Sequence, residues 1–172
     1  MTPNPSINYL TGLAANDSRL CISGWNDYPP YDGKAELDDL AGHKLADLPG
    51  SGYWGGGACA LTKDRLYLTT HDSENGDDNA DLSVFDINGN LITSVPIFDV
   101  YLPTSMAATD SKVYISIEYD PRIVVFDRVV TKDEDGKIIS EKFVREPDVI
   151  LDHYWYPWVG VDMQQVLHSL SM

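Results

Sequence analysis

Basic residues are scarce in this chain. Its 172 residues include 12 Lys and Arg against 27 Asp and Glu, a formal net charge of −15. Proteins that hold nucleic acid through phosphate contacts need Lys and Arg, so the composition argues against DNA and RNA as partners. Long apolar runs are also missing, and the longest fall far short of the roughly 18–20 residues of a membrane helix. We therefore expect a soluble chain with no membrane partner.

Cysteine and an N-terminal basic segment are lacking as well. Cys21 and Cys59 are the only cysteines. They form neither a disulfide framework nor a zinc site, and both lie in apolar, strand-like runs, where a free cysteine is usually a small buried residue. The first basic residue is Arg19, so no secretory signal peptide is visible, which favours a cytoplasmic location. The chain length suits one domain with a sizeable core.

One sequence segment occurs four times. The copies are Gly12-LAANDSRLCIS, Ala58-CALTKDRLYLT, Ser105-MAATDSKVYIS and Trp158-VGVDMQQVLHS. Their anchor residues Leu20, Leu66, Val113 and Val166 are 46, 47 and 53 residues apart, at the long end of the range for a β-propeller blade. The first strand of each copy is rich in Gly and Ala, as expected for a strand crowded near a central axis. The second is rich in the aromatic and β-branched residues that strands favour.

A second pattern follows each copy and predicts another hairpin. Leu37-DDLAGHKL matches Val84-FDINGNLI, and Val124-VFDR with Asp135-GKI repeats the pattern around a longer turn. Asn88-Gly89 and Asp135-Gly136 are strong hairpin signals, with positive φ expected at both central residues. Each repeat is therefore expected to contain four antiparallel strands.

These two patterns resemble the blades of the NHL, YVTN and SMP-30-like β-propellers. Val84-FDINGNLI corresponds to an outer hairpin and Met106-AATDSKVYIS to an inner one. The resemblance implies an all-β propeller domain over residues 1–172, with repeats at about 12–48, 57–96, 104–146 and 158–170. A β-sandwich is the main alternative fold. The metal-ligand motif of the SMP-30-like enzymes has no match here, and the fold by itself does not imply a function.

The fourth repeat has only its first two strands, which would leave an exposed sheet edge. The segment Ile7-Asn8-Tyr9-Leu10 could supply an outer strand and close a four-bladed ring within one chain. Two chains could instead each supply half of a larger ring, as a homodimer. The chain could also be a piece of a longer propeller. The sequence favours the homodimer slightly over the closed monomer.

Aromatic residues concentrate in the loops at one end of the predicted blades. These loops enter the first strand or join the second strand to the third. The aromatic candidates for ligand binding are Trp25, Tyr53, Trp54, Trp155, Tyr156 and Trp158. Aromatic rings mixed with carboxylates suit a small molecule, a glycan or a peptide. Alternatively, the long loops pack their own aromatics into small clusters.

Three residues occupy the same position in successive repeats, five residues after the anchor. They are Trp25, His71 and Glu118. If they converge, they add to the ligand site; otherwise they are unrelated rim residues. His71 with Glu118 or Asp120 could form a general acid–base pair if the loops bring them within hydrogen-bonding distance.

An acidic loop is a candidate calcium site. Asp72, Glu74, Asp77 and Asp78 surround one glycine, and hard cations prefer oxygen ligands. The spacing is not that of an EF-hand, and a solvated acidic loop is the alternative. The sequence thus favours a ligand-binding propeller module, with a calcium-assisted hydrolase or lactonase, or a ring-completing structural subunit, as alternatives. It contains no recognisable catalytic motif.

Overall fold

The computed structural model describes residues 7, 9–25, 33–49, 56–71, 80–100 and 102–151. Within these ranges the chain forms three antiparallel sheets, which we call blades 1, 2 and 3. In each blade, neighbouring strands follow one another in chain order. No helix in the described ranges is long and apolar enough to cross a membrane.

Each blade contains four neighbouring strands, and blade 3 has one short addition. Blade 1 contains β1 (Tyr9–Ala15), β2 (Leu20–Trp25), β3 (Gly33–Asp38) and β4 (Lys44–Leu48). Blade 2 contains β5 (Gly56–Leu61), β6 (Arg65–His71), β7 (Ala80–Asp86) and β8 (Leu91–Ile97). Blade 3 contains β9 (Pro103–Ala108), β10 (Lys112–Ile117), β11 (Arg122–Lys132) and β12 (Ile138–Arg145), with β13 (Val149–Ile150) paired to β11. The four-stranded antiparallel units predicted from the sequence are confirmed.

The turn between the first and second strands has the same construction in all three blades. Asn16, Thr62 and Thr109 open the turn, and the backbone N–H of each donates to the carbonyl three residues later, over 2.8–3.0 Å. The side-chain oxygen of each accepts a backbone N–H at the far side of the turn. Local side-chain bonds of this kind stabilise short turns, so the described turns between first and second strands are all short.

The turn between the third and fourth strands is also repeated. Asp39, Asp86 and Asp133 open it, and one carboxylate oxygen of each accepts two backbone N–H groups over 2.8–3.1 Å. The glycines in this turn are Gly42, Gly89 and Gly136, with φ of 80°, 85° and 79°. The pairing register shifts beside each turn, as at a β-bulge.

This geometry corrects one detail of the sequence analysis. Asn88 and Asp135 were expected to have positive φ along with the glycines that follow them. Only the glycines do. The reason is that the opening aspartate caps a longer, bulged turn, which needs just one left-handed residue.

The first strands of the three blades lie beside one another at the centre. β5 contacts both β1 and β9, and β1 also contacts β9. Gly12 and Gly57 meet here, because a Cβ added to Gly12 would lie 2.9 Å from the Gly57 carbonyl oxygen. The close approach explains the small residues that the sequence places in these strands.

The hydrophobic core lies between the blades. We call the face that a blade turns toward the next blade in chain order its front face, and the opposite face its back face. The front of blade 1 and the back of blade 2 form a core that includes Cys21, Leu37, Cys59, Leu66 and Phe85. The front of blade 2 and the back of blade 3 form a larger core that includes Tyr67, Leu82, Val84, Ile115 and Phe126. Both cysteines are free and buried, as predicted.

The N-terminal segment does not play the part that the sequence suggested. Tyr9 and Leu10 belong to β1, where they pair with Trp25 and Gly24. Ile7 lies against β2, because a Cβ added to Gly24 would be 2.5 Å from the Cγ2 atom of Ile7. Tyr9 and Leu10 thus belong to the inner strand of blade 1, so the prediction that these two residues supply an outer strand for a fourth blade is wrong.

Candidate functional site

Many of the predicted site residues lie outside the described residues. These are the aromatic residues Tyr53, Trp54, Trp155, Tyr156 and Trp158, and the calcium candidates Asp72, Glu74, Asp77 and Asp78. Their roles stay predictions. Among the described residues, no group of three or more His, Cys, Asp or Glu side chains could hold a metal ion.

Trp25, His71 and Glu118 take equivalent positions in the three blades, as the sequence predicts. Trp25 and His71 end β2 and β6, and Glu118 directly follows β10. The His71 backbone pairs with Ala80, and its side chain lies outside the described part of the structure. The convergence of the three side chains is therefore still a prediction.

Trp25 stacks on Tyr9 at the loop end of blade 1. The ring centroids are 4.6 Å apart and the planes differ by 17°. The two residues are directly paired across β1 and β2, which places the rings side by side. Trp25 is half-buried and Tyr9 is exposed, so the pair presents part of an aromatic surface to solvent.

Two loops of the same end are joined in blade 3. The backbone N–H of Glu118, after β10, donates to the carbonyl of Leu102, before β9, over 3.0 Å. Tyr119 follows, with 64% of its surface exposed, and Phe98 in the other loop is also exposed. Exposed aromatic rings thus lie at the loop end of blade 3 as well as blade 1.

Backbone strain is concentrated in these two loops. Asp99, Leu102 and Tyr119 have φ of 60°, 49° and 58°, and no other non-glycine residue in the described ranges has positive φ. Left-handed conformations in non-glycine residues cost free energy and persist only where the surroundings enforce them. Such residues cluster at binding and catalytic sites, so the strain marks this end of the blades as a functional candidate.

Arg122 holds the strained loops in place. Its guanidinium donates to the Asp120 carboxylate at 2.8 Å and to the Asp99 carbonyl at 3.1 Å. The hydrogen bond from Arg122 lowers the pKa of Asp120. A carboxylate held in this way is a weak proton acceptor. The geometry therefore favours a positioning role for Asp120 over the general-base role considered from the sequence.

Arg145 provides a second clamp on the same loop. It donates to the Phe98 carbonyl at 3.0 Å and to the Asp148 carboxylate at 3.0 Å. Asp148 also lies 3.6 Å from the guanidinium of Arg122. The two arginines thus tie the segment before β9 to the outer strands of blade 3.

Glu118 differs from its acidic neighbours. Its side chain is half-buried, and it forms no hydrogen bond or ion pair within the described part of the chain. The arginines nearby are engaged by Asp120 and Asp148. Among the predicted acid–base candidates whose side chains are described, Glu118 is thus the one with a carboxylate available to a ligand.

The sequence analysis missed a buried ion network at the opposite end. Glu141 in β12 accepts from Arg65 of blade 2 at 2.8 Å and from Arg128 at 2.5 Å. Arg128 also reaches Asp64 at 2.8 Å. Arg65 and Glu141 are 76 residues apart, and no local pattern signals the contact. The network joins blades 2 and 3, away from the loop end.

The fold of this chain is similar to those of several solved structures. No protein-family model and no curated protein matches the chain. It is similar to the crystal structure of a nidogen/laminin complex, with a TM-score of 0.52 and 10% identity over 78% of this chain and 47% of that one. It also aligns with glutaminyl cyclase from Myxococcus xanthus, with a TM-score of 0.45 and 17% identity over 67% of this chain and 47% of that one. The alignment with BamB from Moraxella catarrhalis has a TM-score of 0.46 and 18% identity over 77% of this chain and 36% of that one. The chain spans about half the length, or less, of these structures.

The three antiparallel sheets are blades of a β-propeller. The nidogen/laminin likeness and the chain-order antiparallel topology support this fold together. The described blades do not form a closed ring. The finer assignment to NHL, YVTN or SMP-30-like propellers stays a prediction.

Proposed function

We propose that the chain is a ligand-binding β-propeller module and that its loop end binds a small molecule, a glycan or a peptide. The observation that carries the proposal is the contrast between the two ends of the blades. At one end, the described turns between the first and second strands are short and capped by their own side chains. The other end combines strained backbone, arginine clamps and exposed aromatic rings.

The clamps favour binding because they organise the surface in advance. Arg122 and Arg145 hold the carbonyls of Asp99 and Phe98, so the loop before β9 has a defined shape without a ligand. A binding surface that is already ordered loses less conformational entropy when the ligand binds. The same features could serve catalysis, but no described group of residues supplies a nucleophile with its base.

The chemistry of the loop end indicates the class of ligand. The Tyr9–Trp25 pair offers flat apolar faces with polar edges, which suit sugar rings and aromatic or aliphatic side chains. Glu118 adds an acceptor for a hydroxyl, an amide or an ammonium group. The net charge of −15 disfavours anionic ligands. Neutral glycans and peptides that contain lysine are therefore the preferred probes.

Replacing Trp25 tests the proposal. We expect Trp25→Ala to weaken binding of probes from a panel of neutral oligosaccharides and short lysine-containing peptides at least tenfold, measured by calorimetry. Leu91→Ala is the matched control, because Leu91 is exposed beside the outer turn of blade 2, at the other end. Melting temperatures of both variants separate lost binding from lost folding. Equal binding by Trp25→Ala and the unmodified chain would contradict the proposal.

The alternative of a calcium-assisted hydrolase rests on Glu118 and Asp120 and on the acidic-loop residues outside the described ranges. Its direct test is the melting temperature with and without calcium, in the unmodified chain and in Glu118→Gln. A hydrolase that uses Glu118 as a ligand loses its calcium stabilisation in the variant. A module without calcium shows no difference.

A further inference from the structure

The two cysteines of the chain lie opposite each other across the interface between blades 1 and 2. Cys21 is in β2, on the front face of blade 1, and Cys59 is in β5, on the back face of blade 2. Both belong to the same apolar core, with exposed fractions of 0% and 5%. They are 38 residues apart in the chain, so the packing of the two blades is what brings them together.

The two thiols are in contact, although both are free in the structure. The Cys59 thiol donates a hydrogen bond to the Cys21 backbone carbonyl over 3.7 Å. The side chains of the two cysteines also hydrogen-bond each other. The contact therefore needs only a small approach of the two sulfur atoms to become a covalent bond.

The backbone around the cysteines allows this approach. Stacked sheets usually lie about 10 Å apart, whereas the Cα atoms of a disulfide are about 4.4–6.8 Å apart. At the centre of the blades the sheets are closer, because a Cβ added to Gly12 would lie 3.2 Å from the backbone nitrogen of Cys59. Cα atoms of β2 and β5, the two strands that carry the cysteines, lie within 8 Å of one another. The small residues of the inner strands thus bring the cysteines close enough for a bridge.

The two thiols differ in acidity. Hydrogen bonds with Cys21 and Ser23 lower the pKa of Cys59. The contact with Cys59, together with burial, raises the pKa of Cys21. The thiolate is the nucleophilic form of cysteine, so Cys59 reacts first with an oxidant. Among the described residues, no group that could hold a metal ion includes either cysteine.

We propose that Cys21 and Cys59 are a modification site, at which a peroxide oxidant forms a disulfide that joins blade 1 to blade 2. The Cys59 thiolate attacks hydrogen peroxide, which forms an S–O bond, breaks the O–O bond and releases hydroxide. This hydroxide takes up the proton that Cys59 lost. The Cys21 sulfur then attacks the Cys59 sulfur, so that the S–S bond forms, the S–O bond breaks, and the Cys21 proton leaves with the hydroxyl group as water. In sum, two thiols lose two electrons and one peroxide becomes two water molecules.

The disulfide would add a covalent link to an interface held mainly by apolar packing. Blades 2 and 3 are joined by the buried ion network around Glu141. The ion pairs described for blade 1 lie within that blade. A bridge between Cys21 and Cys59 restricts the unfolded chain, which stabilises the folded state. Oxidation is therefore expected to raise the melting temperature.

Oxidation of the full chain tests the proposal. We expect hydrogen peroxide to abolish both free thiols, counted in denaturant, and to give a linked pair of peptides containing Cys21 and Cys59. The melting temperature should rise by about 5–10 °C, and dithiothreitol should reverse the change. Loss of thiols without the linked peptides, or a covalent dimer, would overturn the proposal.

Serine variants test the order of the two steps, because serine keeps a hydroxyl in place of the thiol. In Cys21→Ser, the oxidation of Cys59 should stop at the sulfenic acid, which dimedone labels. In Cys59→Ser, Cys21 should stay reduced and unlabelled under the same conditions. Stronger labelling of Cys21 than of Cys59 would contradict the assignment of Cys59 as the thiol that reacts first.

Equilibration with a glutathione redox buffer makes the result independent of how fast an oxidant reaches the core. The folded chain should form the disulfide at least tenfold more favourably than the chain unfolded in urea, because the native contact holds the two sulfurs together. Equal or less favourable formation in the folded chain would show that the fold keeps them apart and would overturn the proposal. No ligand is present in these experiments, so they are independent of binding at the loop end.

Discussion

At the scale of single residues, the interface between blades 2 and 3 contains a buried network of charged side chains. The side chain of Glu141 is 5% exposed and accepts hydrogen bonds from both Arg65 and Arg128. Burial of ionised groups costs free energy, and good pairing offsets most of this cost. Tyr67 lies close by, where burial raises the pKa of its hydroxyl to about 12. The network therefore makes this interface sensitive to the loss of any one partner.

Removing Glu141 should destabilise the fold strongly. Glu141→Ala leaves two guanidinium groups without their shared acceptor, and breaking a buried pair costs about 3–5 kcal/mol of unfolding free energy. Urea denaturation measures the change. The control is Asp47→Ala, because the Lys44–Asp47 pair is exposed and should contribute no more than about 1 kcal/mol. Similar losses in both variants would show that burial does not govern these ion pairs.

The sequence predicted properties that depend on neighbouring residues, but it did not predict contacts between residues far apart in the chain. The burial of Cys21 and Cys59 followed from their apolar neighbours. The partners of Glu141 did not, because they lie on another blade and depend on the long β11–β12 hairpin. Asp120 was named as a possible base, but its pairing with Arg122 became visible only from the loop geometry.

The outer hairpin turn is the most regular element of the fold. In each blade an aspartate caps the turn and a glycine takes the single left-handed position. The surroundings of the glycine differ between blades. A Cβ added to Gly89 would lie 2.9 Å from the Cβ of Ala46 in blade 1, whereas Gly136 has nothing within 4 Å.

The two glycines should therefore respond differently to substitution. Gly136→Ala is expected to cost about 1–2 kcal/mol, the penalty for a left-handed alanine alone. Gly89→Ala should cost about 1–3 kcal/mol more, because it adds a steric clash between blades 1 and 2. Thermal unfolding of the two variants provides the comparison. Equal losses would mean that the turn of blade 2 does not touch blade 1 as described.

The hairpins were predictable from sequence, but their turn type was not. Asn88-Gly89 and Asp135-Gly136 marked the correct positions, because glycine tolerates positive φ. The cap by Asp86 or Asp133 lengthens the turn and spares the residue before the glycine from a left-handed conformation. The choice of this turn type depends on hydrogen bonds that a dipeptide pattern does not reveal.

At the scale of the whole molecule, the repeat predicted the blades but not how they meet. The contact between β1 and β9, the position of Tyr9 and Leu10 in blade 1, and the carboxylate of Asp38 on its back face are all tertiary features. The sequence alone could not choose between a closed monomer and a dimer of half-rings. The asymmetry between the turn end and the loop end was predictable, because loop length and aromatic content are properties of the sequence.

The most direct test of the central claim is to map ligand contacts by NMR. Amide shifts of the full chain are followed during titration with the oligosaccharide and lysine-peptide probes. We expect the perturbed residues to cluster at Trp25, 98–102 and 118–122. Shifts centred on the turns that begin at Asn16, Thr62 and Thr109, or no shifts with any probe, would contradict a binding face at the loop end.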